Sequence, residues 1–173
     1  MSNGHTFITG IVHVLVVGSL VTTVMAEERV VVPVKARSAA TERHDRGRYL
    51  VKIAGCNDCH TPGYAETGGK IPEKDWLTGD RMGWRGPWGT TYASNLRLYM
   101  QLLSEEQWVK IAHTAQFRPP MPWFALHDMT EQDLRAMYRF IKSLEPAGKP
   151  APAYLPPEKE PEGPYILFPQ TSQ

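Results

Sequence analysis

The clearest pattern of apolar positions predicts an amphipathic helix towards the C-terminal end of the chain. It covers residues 131–144, EQDLRAMYRFIKSL, with Thr130 at the capping position and Pro146 just beyond its end. Its apolar side consists of Leu134, Met137, Tyr138, Ile141 and Leu144. Polar and charged residues lie between these positions, so we expect this helix to pack one face against a core.

The same kind of pattern predicts two further helices. Residues 104–116, SEEQWVKIAHTAQ, begin with Ser104 and Gln107 at the spacing of a capping box and continue with an apolar stripe. Residues 43–54, RHDRGRYLVKIA, have apolar side chains at helical spacing, namely Tyr49, Leu50 and Ile53. This earlier helix leads directly into the segment CNDCH, residues 56–60.

Glycine, proline and aromatic residues interrupt the regular pattern elsewhere. Residues 63–99 have no sustained periodicity and are predicted to form a long loop. The three prolines of FRPPMPWFALHDM, residues 117–129, predict an extended segment without a helix. Residues 146–173 hold eight of the fifteen prolines, which predicts an extended tail. A disordered end is the alternative, but the apolar YILFP at residues 165–169 indicates that part of the tail docks on a surface.

The N-terminal segment has the composition of an export signal. Residues 1–26 contain no Lys, Arg, Asp or Glu, and their apolar centre ends in the letters VMA, which predicts cleavage after Ala26. The alternative is a retained anchor, because the apolar run at residues 7–24 is almost long enough to span a bilayer. Either way the bulk of the chain is expected outside the cytoplasm, in the periplasm, with membrane association only if the segment is retained. Residues 27–42 are predicted to be an extended arm and linker.

Composition limits the classes of partner. The chain has 173 residues, of which 42% are hydrophobic, and this fits one globular domain with an adequate core. The formal net charge is +1, so the chain has neither a strongly basic surface of the kind that binds nucleic acid nor an excess of acidic residues. We therefore expect no nucleic-acid partner.

The segment CNDCH contains both cysteines of the chain, Cys56 and Cys59, followed by His60. Export favours a disulfide, but a bridge across two intervening residues would contribute little stability. A thioredoxin-like pair would need a strand-helix-strand pattern, and a zinc site would need more ligands at suitable spacing. The remaining interpretation is the C-x-x-C-H motif of covalent haem attachment. In that motif the two thiols bind the haem vinyl groups and the histidine is the proximal iron ligand.

The order of these segments resembles the class I monohaem cytochrome c family over residues 43–144. The specific matches are CNDCH, PPMPW and MTEQDLRAMYRFIKSL, and GPWGTTYASNL at residues 86–96 is similar to bacterial, dehydrogenase-associated members. The resemblance implies an all-α, class I cytochrome c fold, with few helices around one covalently attached haem c. It places the cytochrome domain at residues 43–145, with a long Gly/Pro-rich loop inside it and the Pro-rich tail, residues 146–173, after it.

The resemblance also implies Met121 as the second axial ligand of the iron. Met121 lies between the internal and the last helix, and prolines flank it on both sides. Met129 is an alternative, although its position before Thr130 suits packing in a hydrophobic staple. Two histidines outside the motif are further alternatives, namely His113 and His127.

The resemblance implies further site residues, but it does so by region and not by a single position. The crossing of the first and last helices would involve Gly47, Tyr49, Tyr138 and Ile141. A backbone carbonyl is expected to accept a hydrogen bond from His60 Nδ1, with candidates at Thr61, Pro62 and Gly63. Candidates for the haem walls or propionates are Trp84, Arg85, Trp88, Tyr92 and Asn95.

The function that this resemblance implies is one-electron transfer in the periplasm by a His/Met-ligated iron that cycles between Fe(III) and Fe(II). The expected partners are redox proteins: a dehydrogenase, an oxidase or another cytochrome. One alternative is a cytochrome subunit of a periplasmic dehydrogenase or oxidase, with the Pro-rich tail as its docking segment. Another is a haem-based sensor, which would require an iron without bound Met121. The sequence has no constellation of acid, base and nucleophile that indicates an independent enzyme.

Overall fold

The computed structural model of the chain describes residues 38–169. The predicted export signal and the predicted arm up to residue 37 lie outside the described residues. The helices are α1 (Ala39–Ile53), α2 (Cys56–His60), α3 (Leu96–Tyr99), α4 (Glu105–Thr114), α5 (Trp123–His127) and α6 (Glu131–Ser143), with 3-10 turns at Glu73–Asp75 and Met100–Leu102. The strands are β1 (Gly83–Gly86), β2 (Gly89–Tyr92) and β3 (Tyr165–Leu167).

The two helices that were predicted from capping residues are confirmed. In α4 the Ser104 side chain accepts from the Gln107 N–H and the Gln107 side chain accepts from the Ser104 N–H, which completes the capping box. In α6 the Thr130 side chain accepts from the Asp133 N–H. The buried residues of α6 include four of the five that were predicted, Leu134, Met137, Tyr138 and Ile141.

Helix α1 differs from its prediction in both its start and its buried face. It begins at Ala39, because Ser38 caps it by accepting from the Thr41 N–H, so residues 39–42 are helix rather than linker. Gly47, Leu50 and Val51 are buried, whereas Tyr49 and Ile53 are 52% and 59% exposed. Gly47 faces α6, and residues three and four positions later share its side of the helix. The predicted role of Tyr49 in the helix crossing is therefore wrong.

The core lies where α6 packs against α1 and α4. Trp108 Nε1 of α4 donates to the Leu134 carbonyl at 2.9 Å, and Tyr138 Oη of α6 donates to the Leu103 carbonyl at 2.7 Å. The segments between helices also contribute buried side chains, namely Tyr64, Trp76, Leu77 and Met100. The polar atoms of Trp108 and Tyr138 are thus paired, so these two aromatic side chains fill the core without leaving a donor unsatisfied.

A small sheet is the main departure from the all-α prediction. Strands β1 and β2 form an antiparallel hairpin inside the predicted loop, and β3 of the tail pairs parallel with β1, giving the order β2-β1-β3. The strands have three or four residues each, which is too short for an alternating pattern to be recognised. The prediction that YILFP docks is confirmed, since its first three residues form β3.

The Pro-rich segment before α6 also contains more structure than predicted. Helix α5 begins at Trp123, immediately after Pro122. Proline is tolerated at the start of a helix, where its missing N–H has no helical partner to bind. Among the described residues, no helix has both the length and the apolar character that crossing a bilayer requires.

Gly47 gives a direct test of the contact between α1 and α6. A Cβ at this position would lie 2.8 Å from Phe140 Cβ and closer still to the Ala136 carbonyl group. We expect Gly47→Ala to lower the free energy of unfolding by about 3 kcal/mol, because the helices must separate to admit the methyl group. Denaturant unfolding measures this change.

The matched control is Gly163→Ala in the tail. A Cβ there would have its nearest neighbour, the Arg81 carbonyl oxygen, at 3.9 Å. Its expected effect is within about 0.5 kcal/mol. Equal stability of the two variants would contradict close packing at Gly47.

Candidate functional site

Helix α2 carries the motif, and a tight turn after α1 sets its direction. Gly55 joins the two helices with a φ of 70°, in the left-handed region that residues with a Cβ rarely adopt. Cys56 is the first residue of α2, and Cys59 follows about one turn later. Both cysteines and His60 line one cavity of about 350 Å³. The motif therefore directs its three functional residues into a single space.

The walls of this cavity are mainly apolar. They come from helices α3 to α6 and include Leu96, Trp108, Leu126, Met137 and Ile141. Among the described residues that line the cavity, Arg118 alone carries a permanent charge. Such a lining favours an apolar occupant and raises the cost of placing additional charge inside.

The orientation of His60 is fixed by a hydrogen bond to the Ser94 carbonyl. His60 Nδ1 lies 2.7 Å from this oxygen, and since a carbonyl can only accept, Nδ1 carries the proton. Nε2 therefore keeps its lone pair. Burial lowers the pKa of His60 and outweighs the opposing effect of the Ser94 hydrogen bond. The imidazole is thus neutral, which is the form that binds metals.

Ser94 was missed in the sequence, where carbonyls within three residues of His60 were the candidates. Ser94 lies 34 residues further along, in the segment between β2 and α3. Nearby backbone bonds hold this segment: Asp80 N–H donates to the Ala93 carbonyl at 3.0 Å and Leu96 N–H donates to the Leu77 carbonyl at 3.0 Å. No local sequence signal could have identified this partner, because the contact depends on the fold.

A buried polar network fixes the chain on the other side of His60. Thr61 Oγ1 donates to Asn57 Oδ1 at 2.7 Å and accepts from the Leu77 N–H at 2.7 Å. The His60 carbonyl accepts from the Gly79 N–H at 2.9 Å. These bonds join α2 to residues 77–79, so the position of the imidazole depends on the loop as well as on the helix.

No disulfide joins Cys56 and Cys59. Burial of the thiol raises the pKa of Cys56 to about 12, although the residue as a whole is partly exposed. Burial likewise raises the pKa of Cys59. Both thiols are therefore protonated near neutral pH, and neither has the low pKa of a catalytic cysteine.

Met121 lines the same cavity as the three motif residues. A backbone turn holds it, with the Met121 N–H donating to the Arg118 carbonyl at 3.3 Å and the Trp123 N–H donating to the Met121 carbonyl at 2.9 Å. Pro120 and Pro122 restrict the backbone on either side. The structure thus brings together all four residues that the sequence proposed for the site.

The alternative ligands differ in their position. Met129 also lines the cavity, so it remains a structural rival to Met121. The two histidines are outside its lining, and their Nε2 atoms bond to backbone carbonyls, His113 to Met129 and His127 to Ala115, both at 3.0 Å.

The aromatic and polar residues that were proposed for the haem surroundings divide into two groups. Trp84 and Tyr92 line the cavity. The others lie outside its lining: Arg85, Trp88 and Asn95. Arg85 binds the C-terminal tail instead, with an ion pair to Glu160 at 2.8 Å. Asn95 caps α3 through its Oδ1 and contacts the tail through its Nδ2, so these side chains are structural.

A cross-strand pair of lining residues has unused hydrogen-bonding capacity. Trp84 of β1 lies opposite Thr91 of β2. Trp84 Nε1 and Thr91 Oγ1 are buried and have no hydrogen-bond partner within residues 38–169. Because an unpaired buried polar group costs about 1–3 kcal/mol, an occupant of the cavity with an acceptor group would stabilise this pair. Thr91 had no signal in the sequence.

The donor set fits haem. Two thiols one helical turn apart suit its vinyl groups, a neutral imidazole with a free Nε2 suits its iron, and the apolar walls suit its porphyrin. The unpaired atoms of Trp84 and Thr91 suit its carboxylates.

Comparison with known proteins agrees with this chemistry. The model of the family described as Cytochrome c matches residues 44–145, which is more than half of the chain. No match was found among the curated proteins or among the solved structures.

The Thr61 network can be tested with an isosteric change. Thr61→Val removes the hydroxyl and leaves both the Leu77 N–H and Asn57 Oδ1 without this partner in a buried place. We expect a loss of about 2–3 kcal/mol in the free energy of unfolding.

The matched control is Thr67→Val, which removes the hydrogen bonds of the Thr67 hydroxyl to the Gly63 carbonyl at 2.8 Å and to the Tyr64 carbonyl at 3.2 Å. Thr67 is exposed, so water can replace these bonds and the expected cost is below about 0.5 kcal/mol. Denaturant unfolding compares the variants. A Thr61→Val protein as stable as the control would show that the network does not hold the loop.

Proposed function

The chain belongs to the cytochrome c family, and on this premise we propose that it is a periplasmic one-electron carrier with His60 and Met121 as axial ligands. The family implies a covalently attached haem c, and Cys56 and Cys59, followed by His60, fit its C-x-x-C-H attachment motif. The observation that carries the proposal is the common cavity of these four residues. Bound there, the haem iron supplies the chemistry, a reversible change between Fe(III) and Fe(II).

The cysteines hold the cofactor. Cys56 and Cys59 would each hold the haem through a thioether, the product of adding Sγ–H across a vinyl group with no leaving group and no change in the number of electrons. Since Cys56 and Cys59 are fixed on one turn of α2, they also fix the side from which His60 approaches. The backbone of α2 therefore sets how these three side chains would present themselves to the haem.

His60 contributes through the state of its ring. Its Nδ1–H is engaged with the Ser94 carbonyl, which leaves the Nε2 lone pair for the metal and increases the basicity of the ring. This arrangement also prevents rotation of the imidazole, so little reorganisation accompanies electron transfer.

Met121 sets the potential in this proposal. A thioether favours the ferrous state, and an apolar cavity disfavours the extra positive charge of the ferric state. Both effects raise the reduction potential. We propose Met121 over Met129 because its own backbone turn and two flanking prolines restrict it.

Trp84 and Thr91 are proposed to bind a haem propionate. They form a directly opposed pair in the hairpin, both line the cavity, and their polar atoms have no other partner among the described residues. Hydrogen bonds to a carboxylate are stronger than those between neutral groups, which suits donors that are otherwise buried and unpaired.

Redox proteins are the partners that the family implies, and we propose a dehydrogenase, an oxidase or another cytochrome. Of the alternatives, the docking segment of a larger complex is disfavoured because the tail binds the hairpin of its own chain through β3. A ligand sensor is disfavoured because Met121 already lines the cavity. We also propose that the chain is exported. The cytochrome domain is proposed to cover residues 43–145 together with the preceding residues of α1, from Ala39.

Replacement of Met121 tests the ligand assignment. In Met121→Leu we expect the weak far-red band of sulfur-ligated ferric haem to disappear, because leucine has no donor atom. The reduced protein should bind carbon monoxide, and the potential should fall by roughly a few tenths of a volt within the range that axial ligands control.

Met129→Leu is the control, since this methionine lines the same cavity. It should keep the far-red band and remain indifferent to carbon monoxide. If Met129→Leu lost the far-red band and bound carbon monoxide while Met121→Leu did not, Met129 would be the ligand. If neither variant lost the band, methionine ligation would be contradicted.

A second test concerns the proposed propionate contact. In Trp84→Phe the carboxylate loses an N–H donor, so its negative charge stabilises the ferric state more. We expect the reduction potential to fall by roughly tens of millivolts, since 59 mV corresponds to a tenfold change for one electron.

Trp88→Phe is the matched control. Trp88 Nε1 already donates to the Trp84 carbonyl, at 3.3 Å, and Trp88 lies outside the cavity lining. Redox titration should give a wild-type potential for this variant. Equal shifts in the two variants would rule out a specific contact of Trp84 with the propionate.

A further inference from the structure

The C-terminal tail is fixed to the hairpin at several points. Thr90 and Leu155 exchange two backbone hydrogen bonds, of 2.7 and 3.0 Å. Arg85 of β1 donates to the Lys159 carbonyl at 2.8 Å and to the Pro157 carbonyl at 3.1 Å. Together with the pairing of β3, these bonds give residues 155–167 a defined position on the sheet.

Tyr154 connects this fixed tail to the segment before Met121. Its hydroxyl donates to the Trp88 carbonyl at 2.9 Å, and the guanidinium carbon of Arg118 lies 4.0 Å from the centre of its ring. Contacts of this kind contribute about 0.5–1 kcal/mol at exposed sites. Arg118 is itself a lining residue of the cavity.

The position of Arg118 determines that of Met121. Only Pro119 and Pro120 separate the two residues, and each proline ring fixes one backbone dihedral angle. The Arg118 carbonyl also accepts from the Met121 N–H at 3.3 Å. Restraint of Arg118 is therefore passed to Met121 through a short and stiff piece of backbone.

The same tail restrains the opposite side of the site. Asn95 Nδ2 donates to the Ala147 carbonyl at 2.8 Å and to the Lys149 carbonyl at 3.2 Å. Asn95 directly follows Ser94, whose carbonyl orients His60. The tail thus contacts the segment behind each of the two ligand residues.

We propose that the C-terminal tail is a clamp for the axial ligands, in which stacking of Tyr154 on Arg118 holds the Met121 segment at the haem. This inference rests on the proposed His60/Met121 ligation. Tyr154 and Arg118 are positioning residues, since they act on the iron through Met121. Without the stacking contact, Met121 dissociates more readily and an external ligand competes better for the iron.

The experiment measures binding of imidazole to the oxidised holoprotein, which displaces a methionine ligand. We expect Tyr154→Leu to bind imidazole about two- to five-fold more tightly than the wild type, the factor that corresponds to the stacking contact. Tyr154→Phe keeps the ring face and should bind imidazole like the wild type. Arg118→Gln should reproduce the effect of Tyr154→Leu, and the double variant should not exceed either one, because both changes remove the same contact.

Tyr165→Leu is the matched control, because Tyr165 is a tail tyrosine in β3, whereas the ring on which Arg118 stacks is that of Tyr154. It should keep the wild-type affinity. The clamp is overturned if Tyr154→Leu and Tyr165→Leu behave alike, or if Tyr154→Phe is affected as much as Tyr154→Leu.

Failure of the ligand assignment is seen separately, in the wild type and in Met121→Leu. A wild-type protein without the far-red sulfur band, or a band that persists in Met121→Leu, would overturn both the ligation and the clamp. With the band present in the wild type and absent from Met121→Leu, any failure among the clamp variants concerns the clamp alone. Melting temperatures of all variants identify a general loss of stability, which would not by itself change imidazole affinity well below the melting transition.

Discussion

The hydrogen bond from His60 Nδ1 to the Ser94 carbonyl is the interaction on which the rest of the site depends. It joins the motif helix to the segment between β2 and α3, and so determines which nitrogen of the imidazole is free. This hydrogen bond keeps its geometry only if both the chain around His60 and the chain around Ser94 are fixed in place. Thr61 and its partners hold the helix side, while Asn95 and the tail hold the Ser94 side. A small shift of the chain on either side would rotate the imidazole and change the direction in which the Nε2 lone pair points.

The close packing of α1 on α6 provides the second constraint. Gly47 admits the backbone of α6 to a distance that a methyl group would prevent, and α6 in turn places Met137 and Ile141 in the cavity wall. The motif follows α1 after a single turn at Gly55, so the same packing sets the relation between the attachment residues and this wall. The contact between α1 and α6 therefore contributes both to the stability of the fold and to the shape of the cavity.

Sequence patterns were sufficient wherever the signal was local. The capping box of α4, the Thr130 cap of α6 and the spacing of CNDCH are all short-range features, and the structure has each of them at the predicted place. Met121 was proposed from the resemblance to the family, and its flanking prolines are the local feature that supported it.

Features that depend on distant contacts could not be predicted in this way. Ser94 is 34 residues from His60, and β3 pairs with a strand about 80 residues before it. The buried face of α1 follows from the position of Gly47, while the larger apolar residues Tyr49 and Ile53 suggested another face. In each case the partner is supplied by the fold. The tail, for which sequence alone left disorder open, contacts both Arg118, just before Met121, and Asn95, just after Ser94.

The most direct measurement is a proton NMR spectrum of the reduced holoprotein with isotopically labelled methionine methyl groups, assigned with the Met121→Leu variant. A methyl group bound above the haem plane experiences a strong ring-current shift to high field. We expect one such signal, and it should be absent from Met121→Leu. A spectrum without a shifted methyl signal, or one whose signal persists in that variant, would contradict His60/Met121 ligation.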